Sequence, residues 1–216
     1  MRFFIDSAEI ADIQTALEFG WCDGVTTNPS LIAKSGRQLK PVIQEIAALV
    51  EGPVLAEVIS TKTEDIVAEG REMAAWAENV AIKIPLTLEG LKAVRMLEAE
   101  GISTGTTLVF SPSQVLLAAK AGTHYVIPFV GRLDDISSLG AGLVAQAQEL
   151  LGNYRFRTEV LAASIRTPRH VLECALEGIP IVTAPLKVYQ QMVKHPLTDV
   201  GVDRFLADWE KAKKNL

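Results

Sequence analysis

One lysine lies in a segment that otherwise has the character of a buried strand. Lys83 is the only charged residue in the run VAIKIP, residues 80–85. Burying an ammonium group without a partner costs free energy, so such a lysine needs a reason. Desolvation lowers the pKa of a lysine and leaves more free amine, which attacks a carbonyl carbon to form a Schiff base. The sequence favours Lys83 as this nucleophile, with a buried lysine–glutamate ion pair as the alternative.

Two carboxylates also lie in apolar strand-like segments. Asp6 ends the first such segment and Glu57 lies in the third. Cleaving a bond beta to an iminium needs a base, and forming and hydrolysing the iminium needs further proton transfers. We therefore expect Asp6 and Glu57 to divide this acid–base work. The alternatives are that Asp6 caps a helix over residues 7–16 and that Glu57 is the counter-ion of Lys83.

A group of polar residues after the sixth and seventh strand-like segments suggests an anion site. It contains Arg132, Ser164 and Arg166. The guanidinium fork of arginine matches phosphate oxygens, and the loops after the last strands of a barrel often bind phosphate. The alternative is that Arg132 forms a surface ion pair with Asp134 or Asp135.

Short apolar segments alternate with longer amphipathic ones along the chain. The strand predictions are Arg2–Asp6, Gly24–Thr27, Val54–Ile59, Val80–Ile84, Thr104–Phe110, Tyr125–Phe129, Glu159–Ala163 and Ile181–Ala184. Eight strand–helix units are more economically closed into a barrel than laid flat. We predict an α/β fold, a single (β/α)8 TIM barrel over residues 1–216, with a doubly wound open sheet as the alternative.

Helix boundary signals agree with this division of the chain. Ser111-Pro112 and Thr167-Pro168 each place a capping residue before a proline at the first helical position. Residues 198–216 predict an extra C-terminal helix with several large apolar side chains on one face. This helix either covers its own barrel or docks on a neighbouring subunit.

Composition and charge disfavour several classes of function. The chain has 216 residues, a net charge of -5 and no basic run, which disfavours nucleic-acid binding. The three histidines and two cysteines lack metal-ligand or CxxC spacing, so we expect no metal site and no disulfide. No apolar run approaches the ~20 residues that span a bilayer, and no signal peptide is recognisable. These features predict a cytoplasmic protein with no membrane partner.

Six segments together resemble the transaldolase family, in particular its short branch, which also contains fructose-6-phosphate aldolase. They are FID at 4–6, GVTTNPSL at 24–31, AEV at 56–58, IKIP at 82–85, PFVGR at 128–132 and LAAS at 161–164. The resemblance implies a class I aldolase barrel acting on sugar phosphates, without a cofactor, in the pentose phosphate pathway. It also implies a homo-oligomer, a pentamer or a decamer, with the C-terminal helix reaching a neighbour.

The resemblance assigns roles to individual residues. Lys83 would attack the ketone of fructose 6-phosphate or sedoheptulose 7-phosphate, and Asp6 would take the proton of the C4 hydroxyl. Glu57, with a water held by Thr107, would move protons as the Schiff base forms and is released. The substrate-binding residues that it implies are Thr27, Asn28, Phe129, Arg132, Ser164 and Arg166.

Four positions bear on the choice within the family. Glu57 and Phe129 favour a transaldolase, which transfers a dihydroxyacetone unit to an aldose phosphate, because the aldolase carries Gln and Tyr there. Gly105 and Ile127 stand where many transaldolases have an Asn and a Ser that help hold this unit. An aldolase that releases free dihydroxyacetone and a sugar-phosphate-binding barrel without catalysis remain the alternatives.

Overall fold

The computed structural model describes residues 1–214 and forms a closed barrel of eight parallel strands in chain order. The strands are β1 (Arg2–Asp6), β2 (Gly24–Thr26), β3 (Val54–Glu57), β4 (Val80–Pro85), β5 (Thr104–Val109), β6 (Tyr125–Pro128), β7 (Glu159–Ala162) and β8 (Ile181–Ala184). Pairing of β1 with β8 closes the ring. The predicted (β/α)8 TIM barrel is confirmed, and the open-sheet alternative is wrong.

Helices surround this barrel. They are α1 (Ile10–Glu18), α2 (Pro29–Ser35), α3 (Leu39–Leu49), α4 (Thr63–Ala74), α5 (Leu88–Ala99), α6 (Pro112–Ala121), α7 (Val130–Asp134), α8 (Gly140–Asn153), α9 (Pro168–Leu176), α10 (Leu186–Val193) and α11 (Pro196–Lys213). The end of the predicted C-terminal helix, residues 215–216, lies outside the described residues. No helix within residues 1–214 is both long and apolar enough to cross a membrane.

The predicted caps start two of these helices. The Ser111 hydroxyl accepts a hydrogen bond from the Gln114 amide of α6, and the Thr167 hydroxyl accepts one from the His170 amide of α9. A proline follows each cap at the first helical position, where its missing N–H costs nothing. Gly122 ends α6 at a φ of 94°, a left-handed conformation that favours glycine.

The apolar core has two parts, as alternation along parallel barrel strands requires. The larger part lies between the strands and the helices. The smaller part fills the inside of the barrel and consists of Phe4, Leu55, Ala81, Tyr125, Ile127, Leu161, Ala163 and Ile181, with Phe129 packed against it. Inward-facing side chains beyond this plug, toward the carboxyl ends of the strands, therefore lie at the mouth of the barrel.

The C-terminal helix α11 behaves differently from the others. None of its described residues is buried, and Phe205, Leu206 and Trp209 are 75, 60 and 55% exposed. The interpretation that α11 covers its own barrel is therefore wrong.

Candidate active site

Lys83 lies on β4 and is almost completely buried, with 4% of the residue exposed. Its register partner on β3 is Glu57, and the Lys83 Nζ lies 2.9 Å from the Glu57 Oε2. The same Nζ donates a hydrogen bond of 3.1 Å to the main-chain carbonyl of Thr27. The buried ion pair is thus present, and it supplies a proton acceptor beside the amine. A nucleophilic lysine needs such a base, so the pair and the nucleophile are compatible.

Asp6 ends β1 and faces the same space. Its Oδ1 accepts a hydrogen bond of 2.8 Å from the Thr26 hydroxyl on the neighbouring strand β2. Desolvation by burial raises the pKa of Asp6, while Lys83 and the Thr26 hydroxyl oppose that rise. A carboxylate with a raised pKa holds a proton more readily, as a general base must. Asp6 is not a helix cap, because α1 begins at Ile10 with Glu9 in the capping position.

Thr26 belongs to a hydroxyl chain that the sequence interpretation missed. Its Oγ1 lies 2.6 Å from the Oγ1 of Thr183 on β8, and both side chains are buried. Thr183 stands two residues after Ile181, which faces the inside of the barrel. Counting in steps of two along β8 would have placed Thr183 on the inner face as well. The two hydroxyls, on the strands β2 and β8 that flank β1, together position the Asp6 carboxylate.

These groups surround a cavity of about 130 Å³ inside the mouth of the barrel. Its lining consists of Asp6, Thr26, Asn28, Lys83, Ile127, Phe129, Arg132, Ala163, Ser164 and Thr183. A wider opening of about 510 Å³ shares Asn28, Lys83, Phe129 and Arg132 with it and adds Glu57 and Leu108. A small molecule entering through the opening would therefore reach the Lys83 amine.

Two threonines predicted at the site have different surroundings. The Thr27 hydroxyl donates a hydrogen bond to the Leu55 carbonyl. Thr27 contacts Lys83 through its own main-chain carbonyl instead. The Thr107 hydroxyl is buried and has no hydrogen-bond partner within residues 1–214. A buried hydroxyl without a partner is costly, so Thr107 is a natural holder of a water or a substrate group.

Asn28 has two tasks at the end of β2. Its side-chain Oδ1 accepts a hydrogen bond of 2.9 Å from the Leu31 amide and caps α2. Its Nδ2 forms no hydrogen bond with any other residue that the structure describes, and the side chain lines the cavity. The cap fixes the amide, and the free Nδ2 can donate to a ligand oxygen.

Arg132 lies at the rim of the cavity, in the short helix α7. Its guanidinium stands over the Phe129 ring, 5.2 Å from the ring centroid, and lines the opening. Neither Asp134 nor Asp135 forms an ion pair with Arg132 in the described part of the chain, so the surface-pair alternative is wrong. The Arg132 charge therefore remains available to an anion at the rim.

Ser164 follows β7 in a left-handed conformation, with a φ of 57°. Such a backbone is strained for serine and persists only where the surroundings require it. The Gly131 amide donates to the Ser164 carbonyl, and a Cβ on Gly131 would lie 2.4 Å from that oxygen. The contact fixes Ser164 beside α7, where it lines the cavity together with Arg132.

Arg166, the third residue of the predicted anion site, lines neither the cavity nor its wider opening. It forms a bidentate ion pair with Asp135, and this pair lowers the pKa of the Asp135 carboxyl. Both side chains are about half exposed. In this arrangement the Arg166 guanidinium is occupied by a carboxylate of its own chain.

Comparison with known proteins identifies the family of this chain. The chain matches the family described as "Transaldolase/Fructose-6-phosphate aldolase" over residues 3–216. It is 57% identical over 211 residues to a "Probable transaldolase" of Aquifex aeolicus, covering 98% of this chain and 97% of that protein. It is 56% identical over 214 residues to another of Thermodesulfovibrio yellowstonii, covering 99% and 100%.

A solved structure supports the fold alone. The "putative fructose-1,6-biphosphate aldolase" from Coccidioides immitis superposes with a TM-score of 0.59 at 15% identity, covering 92% of this chain and 81% of that one. The barrel is therefore shared well beyond the close relatives. The full-length family match and the close relatives together show that this chain belongs to the transaldolase/fructose-6-phosphate aldolase family.

Proposed function

We propose that this protein is a transaldolase, which moves a three-carbon ketone unit from a ketose phosphate to an aldose phosphate through a Schiff base on Lys83. The observation that carries the proposal is the buried Lys83 amine, 2.9 Å from Glu57 and open to a cavity that also contains Asp6. The names of the close relatives support the same activity. The donors are fructose 6-phosphate and sedoheptulose 7-phosphate, whose transferred unit is dihydroxyacetone.

The first half of the reaction uses four side chains. The Lys83 Nζ attacks C2 of the donor, and the ketone oxygen leaves as water to give an iminium. Glu57 and a water held by the Thr107 hydroxyl carry the protons of this step. Asp6 then takes the proton of the C4 hydroxyl, the C3–C4 bond breaks, and its electron pair moves to the iminium nitrogen. The products are a free aldose phosphate and an enamine on Lys83.

The second half reverses this chemistry with a new aldehyde. The enamine carbon attacks the acceptor carbonyl, and Asp6 returns its proton to the new hydroxyl. Water hydrolyses the iminium and releases the lengthened ketose phosphate. The raised pKa of Asp6 suits a group that must both take and return a proton.

The substrate phosphate is expected at the rim. Its first ligands are Arg132 and the neighbouring Ser164. Arg132 has no ion-pair partner among residues 1–214. Arg166 joins them only when its pair with Asp135 opens. The Asn28 Nδ2 donates a hydrogen bond to a hydroxyl group of the ketose phosphate. The Thr27 carbonyl accepts a hydrogen bond from Lys83, and the Phe129 ring stacks against Arg132.

The test is a transfer assay with fructose 6-phosphate and erythrose 4-phosphate. A transaldolase releases glyceraldehyde 3-phosphate and forms sedoheptulose 7-phosphate only when the acceptor is present. Release of free dihydroxyacetone at the same rate without acceptor would instead establish the aldolase alternative. Binding of the ketose phosphate without turnover would establish the non-catalytic one.

We also propose that the protein is a homo-oligomer, a pentamer or a decamer, in which α11 packs on a neighbouring copy in the cytoplasm. The exposed apolar face of Phe205, Leu206 and Trp209 supports this packing, because an isolated exposed helix is not stable by itself. Changing Trp209→Glu should lower the mass measured by analytical ultracentrifugation, whereas Lys211→Glu, away from that face, should not. A monomeric wild-type protein would contradict the proposed assembly. It would not bear on the proposed transaldolase activity.

A further inference from the structure

Arg132, the first proposed phosphate ligand, lies on a helix that is too short to hold its own position. The helix α7 is five residues long, and a helix of about one turn is not stable by itself. At its amino end, the Gly131 amide donates a hydrogen bond of 3.0 Å to the Ser164 carbonyl in the loop after β7. The position of Arg132 therefore depends on what holds the other end of α7 as well.

His170 attaches that other end of α7. Its Nε2 lies 3.0 Å from the Oδ2 of Asp134, the last residue of α7. Its Nδ1 accepts a hydrogen bond of 3.3 Å from the Arg166 amide in the loop after β7. Since Nδ1 accepts, the neutral imidazole carries its hydrogen on Nε2 and donates it to Asp134. One ring thus joins the helix that carries Arg132 to the loop that carries Ser164.

The His170 ring and the Asp134 carboxylate are each held by a further contact. His170 lies in the first turn of α9, where its own amide donates to the hydroxyl of the capping residue Thr167. The second oxygen of Asp134, Oδ1, accepts a hydrogen bond of 3.1 Å from the Gly140 amide at the start of α8. The two side chains therefore connect the rim of the barrel mouth to the helices α8 and α9 around it.

The loop after β7 has a strained residue that needs such support. Ser164 has a φ of 57°, and a serine keeps this left-handed conformation only where its surroundings impose it. Two residues later, the Arg166 amide donates its hydrogen bond to the His170 ring. Loss of the ring would remove one of the contacts that keep the loop, and with it Ser164, in this conformation.

A second link between the loop and the end of α7 is more exposed. The Arg166 guanidinium pairs with Asp135, and these side chains are 47 and 51% exposed, whereas that of His170 is 14% exposed. Water screens an exposed pair, so it holds the two segments together only weakly. In the proposed function, Arg166 leaves Asp135 to bind the phosphate. The contact between His170 and Asp134 then remains to hold α7.

We propose that His170 is a positioning residue, which keeps the phosphate ligands Arg132 and Ser164 in place beside each other. The inference rests on the proposed transaldolase function and deepens it by adding a residue that does not touch the substrate. His170 lines neither the cavity nor its wider opening, so it acts through the rim. Ligands that are held in place beforehand lose less conformational entropy when the phosphate binds, and they therefore bind it more tightly.

The first test compares the wild-type enzyme with His170→Leu, which removes both hydrogen bonds of the ring. With fructose 6-phosphate as donor, we expect KM to rise by roughly three- to tenfold, the cost of ordering one or two side chains on binding. The kcat should hardly change, because Lys83 and Asp6 lie on other strands. Turnover of unphosphorylated fructose should not change either. Equal losses with both sugars would show a merely structural role and overturn the proposal.

Two conservative variants separate the two hydrogen bonds of the ring. His170→Gln places an amide N–H near the Nε2 position and still donates to Asp134. His170→Asn is shorter, so it accepts from the Arg166 amide but does not reach Asp134. We expect the KM of His170→Gln to lie close to the wild-type value and that of His170→Asn close to that of His170→Leu.

Both of these variants keep a polar side chain, so they test the proposal even where the leucine variant fails to fold. A KM for His170→Gln as high as that for His170→Asn would overturn the proposal.

A double variant tests whether His170 acts through Arg132. In an Arg132→Met background, His170→Leu should raise KM for fructose 6-phosphate much less than it does in the wild-type background. The matched control is His124→Leu, which removes a histidine at the amino end of β6, at the opposite end of the barrel. It should leave KM unchanged. An equal rise in KM with and without the Arg132 guanidinium would overturn the proposal.

Trapping with borohydride distinguishes this inference from the function on which it rests. An adduct of fructose 6-phosphate on Lys83, together with an unchanged KM in the His170 variants, would overturn the role of His170 alone. No adduct and no transfer in the wild-type enzyme would overturn the proposed function, and the role of His170 with it.

Discussion

The centre and the rim of the barrel mouth hold their charges in different ways. At the centre, Lys83 and Glu57 lie on neighbouring strands in register, buried, with the amine also bonded to a main-chain carbonyl. At the rim, Arg166 and Asp135 form an exposed pair between a loop and a helix end, and Arg132 stacks on a ring. Strand register and burial fix the first arrangement, whereas exposed side chains at the rim can rearrange.

Burial makes the two ion pairs contribute differently to the free energy of folding. Removing one partner of a buried ion pair leaves an uncompensated charge, which is strongly destabilising. An exposed pair is screened by water and contributes little to stability. Changes at the centre should therefore abolish chemistry, and changes at the rim should adjust the binding of the phosphate.

The largest effect is expected from Lys83→Met, which removes the nucleophile but keeps an apolar chain of similar length. Transfer between fructose 6-phosphate and erythrose 4-phosphate should fall by roughly a thousandfold or more, as for other lost nucleophiles. Lys120→Met, on the exposed side of α6, is the matched control and should retain activity. Substantial transfer by the Lys83 variant would exclude this lysine as the nucleophile.

Asp6→Asn should lower kcat by roughly 10²–10⁴-fold, the usual contribution of a positioned general base. Asparagine can still accept the Thr26 hydrogen bond, so the loss concerns proton transfer. A variant with normal kcat would mean that another group takes the C4 hydroxyl proton.

The same variant should be more stable than the wild type at neutral pH. The folded-state pKa of Asp6 lies above 3.8, so between the two pKa values the folded protein binds more protons than the unfolded one. Stability then falls as pH rises through that interval, and the deficit persists above it. Asparagine avoids this cost, so thermal unfolding at pH 7 should give a higher Tm by a few degrees. The advantage should shrink toward pH 4, and an equal Tm at both pH values would contradict the raised pKa.

Arg132→Met should act mainly on KM. Loss of one charged hydrogen-bonding partner should raise KM for fructose 6-phosphate by roughly ten- to a hundredfold, with a smaller effect on kcat. Turnover of unphosphorylated fructose should hardly change, which provides the internal control. An equal loss with both sugars would place Arg132 in a structural role.

The smallest effect is expected from Asp135→Asn, which releases Arg166. If Arg166 then reaches the phosphate, KM should fall by roughly two- to fivefold. The matched control is the same change in an Arg166→Met background, where KM should not respond. A fall in KM in that background would show that Asp135 acts independently of Arg166.

The sequence predicted the centre better than the rim for a physical reason. A lysine in VAIKIP and an acid at the end of β1 are costly to bury, so their positions already indicated an inner face. The eight strands were found because apolar runs and helix caps are local signals, although the predicted strand over 54–59 ends two residues earlier, at Glu57.

What the sequence could not provide was pairing between distant residues. No local sequence signal indicated that Arg166 would pair with Asp135. Nor did one indicate that the Thr183 hydroxyl on β8 would contact Thr26 on β2 once the barrel closes. Nor did the sequence show that Ile127 fills the space above Gly105, since that contact joins two strands. The pattern of α11 left both of its alternatives open, because contact with the barrel also depends on distant residues.

The covalent bond between Lys83 and the donor ketose can be trapped chemically and located in the chain. The protein is incubated with fructose 6-phosphate, reduced with borohydride, digested and examined by mass spectrometry. We expect a reduced three-carbon adduct on the peptide containing Lys83 and none on that peptide in Lys83→Met. An adduct on another lysine, or none with any ketose phosphate, would contradict it.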